Sequence, residues 1–181
     1  MPNATFFPFG STWVPNWPDL DTTKTKMCSL IASAKRELEG HALRHEIVEW
    51  AKAEGVTLDV MGGGYQRFKA KSDGLAPYRY SVVIENVRER DYFTEKLIDA
   101  LLCKTVPIYW GCPNIAEYFD TSGMIICESA ADIQQALRSM SEADYNARLP
   151  ALEAIRETAA GYGDIHGRAA RAVLEAAGHR P

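Results

Sequence analysis

What this chain lacks narrows it before any motif is read. No run approaches the roughly 18 apolar residues that a membrane helix needs, and the opening MPNATFFPFGSTW has no basic region of the kind that begins a signal peptide. Positive charge is not in excess: 20 Lys and Arg stand against 24 Asp and Glu, for a net charge of -4. Global electrostatics therefore give no reason to expect a nucleic acid or a membrane surface as partner, and any anion site must be local. The four cysteines, Cys28, Cys103, Cys112 and Cys127, show no CxxC or Cys/His ligand spacing. Three of them lie in or beside apolar runs and read as small buried hydrophobes in a reducing compartment, so the cytoplasm is the expected location. His41 and His45 share a helix face four residues apart, but no third ligand follows at metalloprotease spacing, and no metal site is expected. There is no Walker A sequence, no GxSxG, no repeat and no low-complexity tract. Gly62-Gly63-Gly64 is not GxGxxG and is expected to be a turn.

What is present suits one globular domain with a full core: 181 residues, 46% hydrophobic, 24% charged and 10% aromatic. Residues 1–25 carry four of the nine prolines and are expected to form an extended arm or linker remnant, ahead of a domain over 26–181. Phe6, Phe7, Phe9, Trp13 and Trp17 imply that the arm packs on something: this domain, a missing domain or a second copy. Met27 to Ala32 predicts a strand. Leu43, Ile47, Trp50 and Ala51 then line one face of a helix from about Glu37 to Ala53, which stops at Gly55. Val56 to Met61 predicts a second strand, followed by a basic loop with Arg67, Lys69 and Lys71. Further on, a short strand at Met124 to Cys127 precedes helices over Ala130 to Met140, Glu142 to Ala160 and Ile165 to Ala177.

The most informative stretch lies between, from Tyr78 to Pro113. The buried strand Ser81-Val82-Val83-Ile84 runs into a polar crossing from Glu85 to Asp91. A helix opens at Thr94-Glu95-Lys96, and Val106 to Trp110 forms a strand that stops at Gly111. Strand, helix and strand within about 30 residues make a βαβ unit and a parallel sheet. The expected fold class is α/β: a Rossmann-like doubly wound parallel sheet, in which ligands bind where strands end and helices begin.

That edge holds the candidate chemistry. Lys96 falls in the first helical turn, where the dipole disfavours a cation, so something must offset it, and a bound phosphate would. Arg44 lies early in the helix after the first strand. Together they read either as solvated surface charges or as a diphosphate clamp. Glu85 and Asn86 close an apolar strand and need hydrogen bonds there, or else mark a turn. Glu95 is a dipole partner or a ligand contact. Tyr92 is a hydrophobic staple or a ligand-facing ring.

Three blocks carry a resemblance: Ile84-Glu85-Asn86-Val87, Tyr92-Phe93-Thr94-Glu95-Lys96 and Val106-Pro107-Ile108-Tyr109-Trp110-Gly111. Spaced as they are, they resemble the donor-binding domain of the family 10 glycosyltransferases, the α-1,3/1,4-fucosyltransferases. Cys28 to Ser33 and Arg44 look like that family's upstream strand, serine and helix-borne arginine. The resemblance implies the C-terminal half of a GT-B glycosyltransferase, with no cofactor besides a GDP-sugar donor, typically GDP-fucose, and inverting transfer to a glycan acceptor. It places Arg44 and Lys96 on the donor diphosphate, with Glu85, Asn86, Tyr92 and Glu95 around the donor. It also implies that the acceptor domain, which carries the general base, is missing here: the chain is a fragment, a half that needs a second chain or copy, or a protein no longer catalytic. A non-catalytic nucleotide-binding module is the alternative. Val87 stands where the family pattern has serine, and Asp91 where it often has glycine.

Overall fold

Two strands form the centre of the molecule because their sequences leave no polar face. In the computed structural model, β3 (Tyr78–Ile84) and β4 (Val106–Trp110) are buried almost throughout, as expected of parallel strands covered by helices on both sides. β1 (Lys26–Ile31) pairs with β3, with Leu30 opposite Val82, and β3 pairs with β4, with Ile84 opposite Trp110. β2 (Asp59–Met61) and β5 (Ile125–Ile126) form the edges, and their side chains are only partly covered. The five strands are parallel, in the order β2-β1-β3-β4-β5.

Helix α1 (Glu39–Ala53) follows β1, and α3 (Ala130–Ser139) packs against it on one face of the sheet. Helix α2 (Glu95–Leu102) follows β3 and packs against α4 (Glu142–Gly161) on the other face. This is the doubly wound α/β architecture expected from the sequence. α5 (Ile165–Ala176) closes the description. The structure describes residues 6–178, so the first five residues of the expected arm lie outside it. Among the described residues no helix is long and apolar enough to cross a membrane.

Several boundaries differ from expectation, β3 among them in starting at Tyr78 rather than Ser81, and three of the differences have a visible tertiary setting. β2 starts at Asp59 rather than Val56, because the Val56 N–H is used in closing α1 on the Ala51 carbonyl (2.9 Å). α1 starts at Glu39 rather than Glu37 and has no side-chain cap; instead the Gly40 N–H donates to the Asn86 carbonyl across the sheet edge (2.9 Å). β5 is two residues long, although the Cys127 N–H still reaches the Tyr109 carbonyl (2.8 Å).

The described part of the arm packs on this domain. Apart from one 3-10 turn at Trp17–Asp19 it has no regular structure. Val14 is buried, the Gly10 N–H donates to the Phe93 carbonyl (3.3 Å), and Arg156 of α4 donates to the Trp17 carbonyl (3.2 Å) while its guanidinium stacks on the Trp17 ring. Lys24 fastens the arm's far end, donating to the carbonyls of Ala76 (2.8 Å) and Cys103 (2.7 Å).

Candidate functional site

The strand order reverses between β1 and β3. From β1 the chain moves to β2 through a helix on one face, and from β3 it moves to β4 through a helix on the other. Such a switch point leaves a crevice at the carboxyl ends of the strands. Here the crevice is a cleft of about 370 Å³ whose lining includes Ser33, Arg44, Gly62, Asn86, Glu95 and Lys96. Two glycines allow the walls to approach this closely. A Cβ on Gly40 would lie 1.8 Å from the Glu85 carbonyl oxygen, so only glycine lets the first turn of α1 lie against the end of β3. Gly62 has φ +116 and would meet the Ala32 carbonyl at 2.1 Å, which makes the triple glycine the expected turn.

Arg44 reaches from α1 over the end of β3. Its Nε donates to the Ile84 carbonyl (3.1 Å), Nη2 bonds the same oxygen, and Nη2 also donates to Asn86 Oδ1 (3.1 Å). The residue is 5% exposed, and among the described residues no carboxylate pairs with it. Burial lowers its pKa, while the charges of Glu85 and Glu95 partly oppose the shift; a guanidinium nonetheless keeps its proton in a protein. A buried cation without a counter-ion is costly, and a bound anion would offset that cost.

Lys96 lines the same cleft from the first turn of α2, so the two cations converge although their helices lie on opposite faces of the sheet. The dipole repulsion on Lys96 is already offset within the chain. Its Nζ lies 3.3 Å from Glu95 Oε1 and 3.7 Å from Glu85 Oε2, and it donates to Thr94 Oγ1 (3.0 Å). Glu85 is fully buried and does not line the cleft. It accepts from the Thr94 N–H (2.8 Å) and hydroxyl (2.7 Å), holding the start of α2 against β3. Burial pushes the Glu85 carboxyl up, with Lys96 and Thr94 opposing. Burial also acts to raise Glu95, but Lys96 and Lys71 outweigh it and leave the group below its ordinary value.

The helix termini offer less to an anion than the sequence implied. Thr94 and Lys96 give their N–H groups to Glu85 Oε1 and Thr94 Oγ1, and Gly40 gives its own to Asn86. Side chains must therefore supply most of the attraction.

Tyr92 stands beside the cleft rather than in its lining, with its hydroxyl next to Asn86; burial, then Glu85 and Glu95, raise its pKa. Phe93, not Tyr92, is the buried aromatic before α2. Both ring nitrogens of His45 are engaged, Nε2 with the Lys35 carbonyl (3.0 Å) and Nδ1 with the Tyr65 hydroxyl (2.7 Å), so it is a structural histidine. His41 lines the cleft. Asp91 has φ +64, a conformation in which glycine is at ease, and its carboxylate is held by Asn114 Nδ2 (2.6 Å) and the Tyr118 hydroxyl (2.6 Å).

Among the lining residues that sequence reasoning missed are Lys71 and Trp13. The basic loop was the one available signal for Lys71. Its Nζ lies 3.6 Å from Asp99 Oδ2 and 4.0 Å from Glu95 Oε1. These contacts join segments far apart in the chain, and no local spacing could have announced them.

Comparison with known proteins agrees with this geometry. The profile of a family described as glycosyltransferase family 10 (fucosyltransferase) C-term matches residues 21–148. An α-(1,3)-fucosyltransferase of Helicobacter pylori is 33% identical over 84 residues, covering 43% of this chain and 18% of that protein. A putative fucosyltransferase-like protein of Arabidopsis thaliana is 30% identical over 101 residues, covering 54% of this chain and 20% of its own length. A crystal structure of an α1,3-fucosyltransferase with GDP-fucose superimposes with a TM-score of 0.58 at 23% identity, over 73% of this chain and 40% of the solved one. The chain thus spans a fifth or less of the first relatives it matches and 40% of the solved chain.

Proposed function

Since this chain belongs to glycosyltransferase family 10 through the C-terminal fucosyltransferase domain of that family, we propose that its switch-point cleft binds the diphosphate of a GDP-sugar, GDP-fucose by preference. The observation that carries the reading is Arg44: a buried guanidinium at the mouth of a strand-end cleft, hydrogen-bonded only to neutral oxygens. A diphosphate would supply the missing negative charge, and Lys96 could turn from Glu85 and Glu95 toward it. Both cations would then stabilise charge developing on the leaving group as the glycosidic bond breaks. Asn86 holds Arg44 in place, and the Tyr92 hydroxyl lies next to Asn86.

Transfer also needs a carboxylate to deprotonate the acceptor hydroxyl. Glu95 is a poor base, because Lys96 and Lys71 hold its pKa low, and Glu85 is sealed beneath α2. The proposed base, and the glycan acceptor with it, therefore belong to an acceptor half supplied from outside these residues, by a further segment, a second copy or a partner. The same observation favours a second reading, a nucleotide-binding module that does not catalyse on its own. Four buried free thiols fit a reducing compartment and support the cytoplasm as the site of action.

Calorimetry with GDP and GDP-fucose, paired with a transfer assay on a glycan acceptor, separates these readings. Binding with transfer supports the enzyme. Binding without transfer supports the module. Absence of binding to both ligands removes the donor site.

A further inference from the structure

Trp13 lines the cleft from a backbone that is anchored on both sides. Its N–H donates to Asp99 Oδ1 (2.9 Å), the neighbouring Thr12 hydroxyl donates to the same oxygen (2.7 Å), and Val14 on the other side is 1% exposed. The indole between these anchors is 67% exposed and lines the cleft. A single exposed aromatic is ordinary, but this one has a defined orientation. Lys71 Nζ lies over the ring, 5.2 Å from its centroid, while most of the residue stays exposed. Lys71 is fixed in turn by Glu95 and by Asp99 Oδ2. Asp99 is fully buried, and its Oδ2 accepts no hydrogen bond among the described residues. One carboxylate on α2 thus fixes the arm with one oxygen and a cleft lysine with the other.

We propose that Trp13 is a donor-specificity residue whose exposed indole stacks on the nucleobase of a nucleoside diphosphate held by Arg44 and Lys96, with Thr12 and Asp99 as positioning residues. This rests on the nucleotide-sugar reading above and adds the arm to that site. A planar base covers an indole over its whole area, whereas a hexose presents only C–H edges; an aromatic side chain with two torsions also loses little entropy on stacking. The diphosphate contacts recognise charge alone, so the indole gives the site a means of preferring a nucleotide to free pyrophosphate.

The test measures the affinity of the full chain for GDP and for inorganic pyrophosphate, in the wild type and in Trp13→Ala, Trp13→Phe and Thr12→Val. Trp13→Ala is expected to weaken GDP about tenfold and leave pyrophosphate unchanged, and Trp13→Phe to recover most of the loss. GDP should quench tryptophan fluorescence in the wild type, and that quenching should vanish in Trp13→Phe. Thr12→Val should weaken GDP alone, with rescue by Thr12→Ser. Trp13 is exposed, so folding of its variants is not at risk, and circular dichroism checks it. Equal GDP affinity in Trp13→Ala and wild type overturns the inference while leaving the donor site standing. So does an equal loss for GDP and pyrophosphate, which would make Trp13 merely structural. A wild-type chain that binds neither ligand removes the donor site and this inference together.

Discussion

Arg44 at the cleft and the cations that fasten the arm use the same bonds for different ends. Arg156, Arg168 and Lys24 donate to main-chain carbonyls, as Arg44 does, and among the described residues none of the four has a carboxylate within ion-pair distance. The arm anchors are half-buried and strap one segment to another: Arg156 joins Leu102 to Trp17, and Arg168 joins Tyr162 to Phe9. Arg44 is buried, and beside it lies a cleft rather than packed protein. A carbonyl-bonded cation is a fastener where protein or water meets its remaining donors. It becomes a binding group where those donors face a cleft that an anionic ligand can enter.

The severest way to break this contrast is Gly40→Ala. The new methyl group would have to displace the end of β3 or lift α1 away from it, separating Arg44 from Ile84 and Asn86. The expected cost is about 3 kcal/mol or more of stability, together with loss of GDP binding; denaturant unfolding and calorimetry report the two. Arg44→Ala separates binding from folding. GDP affinity should fall about a hundredfold, as for removal of one member of a buried charge pair, while the unfolding midpoint changes much less, because an uncompensated buried charge has gone. Lys96→Ala should weaken GDP about tenfold, since part of that charge already serves Glu85 and Glu95, and should destabilise by leaving Glu85 buried without its cation. Arg156→Ala is the mirror image. Loss of its carbonyl bonds and its stacking on Trp17 should cost about 1–2 kcal/mol and leave GDP affinity unchanged.

A different kind of effect comes from pH. Burial pushes the Lys24 ammonium down to about 7 from the ordinary lysine value of 10.5. Between those values the unfolded chain keeps a proton that the folded chain has released, so stability should rise with pH across that window. Thermal unfolding at several pH values should show the rise, and Lys24→Met should flatten it. Arg44 cannot contribute to such a rise, because it stays protonated throughout.

How much of this was legible follows from how local each cause is. β3 and β4 were legible as apolar runs ended by polar or glycine residues, and α1 as a face of Leu43, Ile47 and Ala51. Thr94 as the cap of α2 was legible from its type, and its hydroxyl does accept from the Lys96 N–H (3.4 Å). Arg44, Asn86, Glu95 and Lys96 could be assigned to one strand edge once β1 and β3 were taken as neighbours, and all four line the cleft. Glu85 and Tyr92 are close in sequence to that group, but one bonds the α2 cap and the other lies outside the cleft lining. Spacing cannot tell a strand-end residue that points up from one that points beneath.

The sequence by itself determined the parallel sheet, its alternation with helices and the rim where charge collects, because burial pattern and helix starts are set by residues a few positions apart. Only the tertiary structure decided which charges were already spent on one another and which was left uncompensated. It also brought Trp13 and Lys71 to the cleft through Asp99, since those contacts join segments that meet only when the sheet, α2 and the arm pack together.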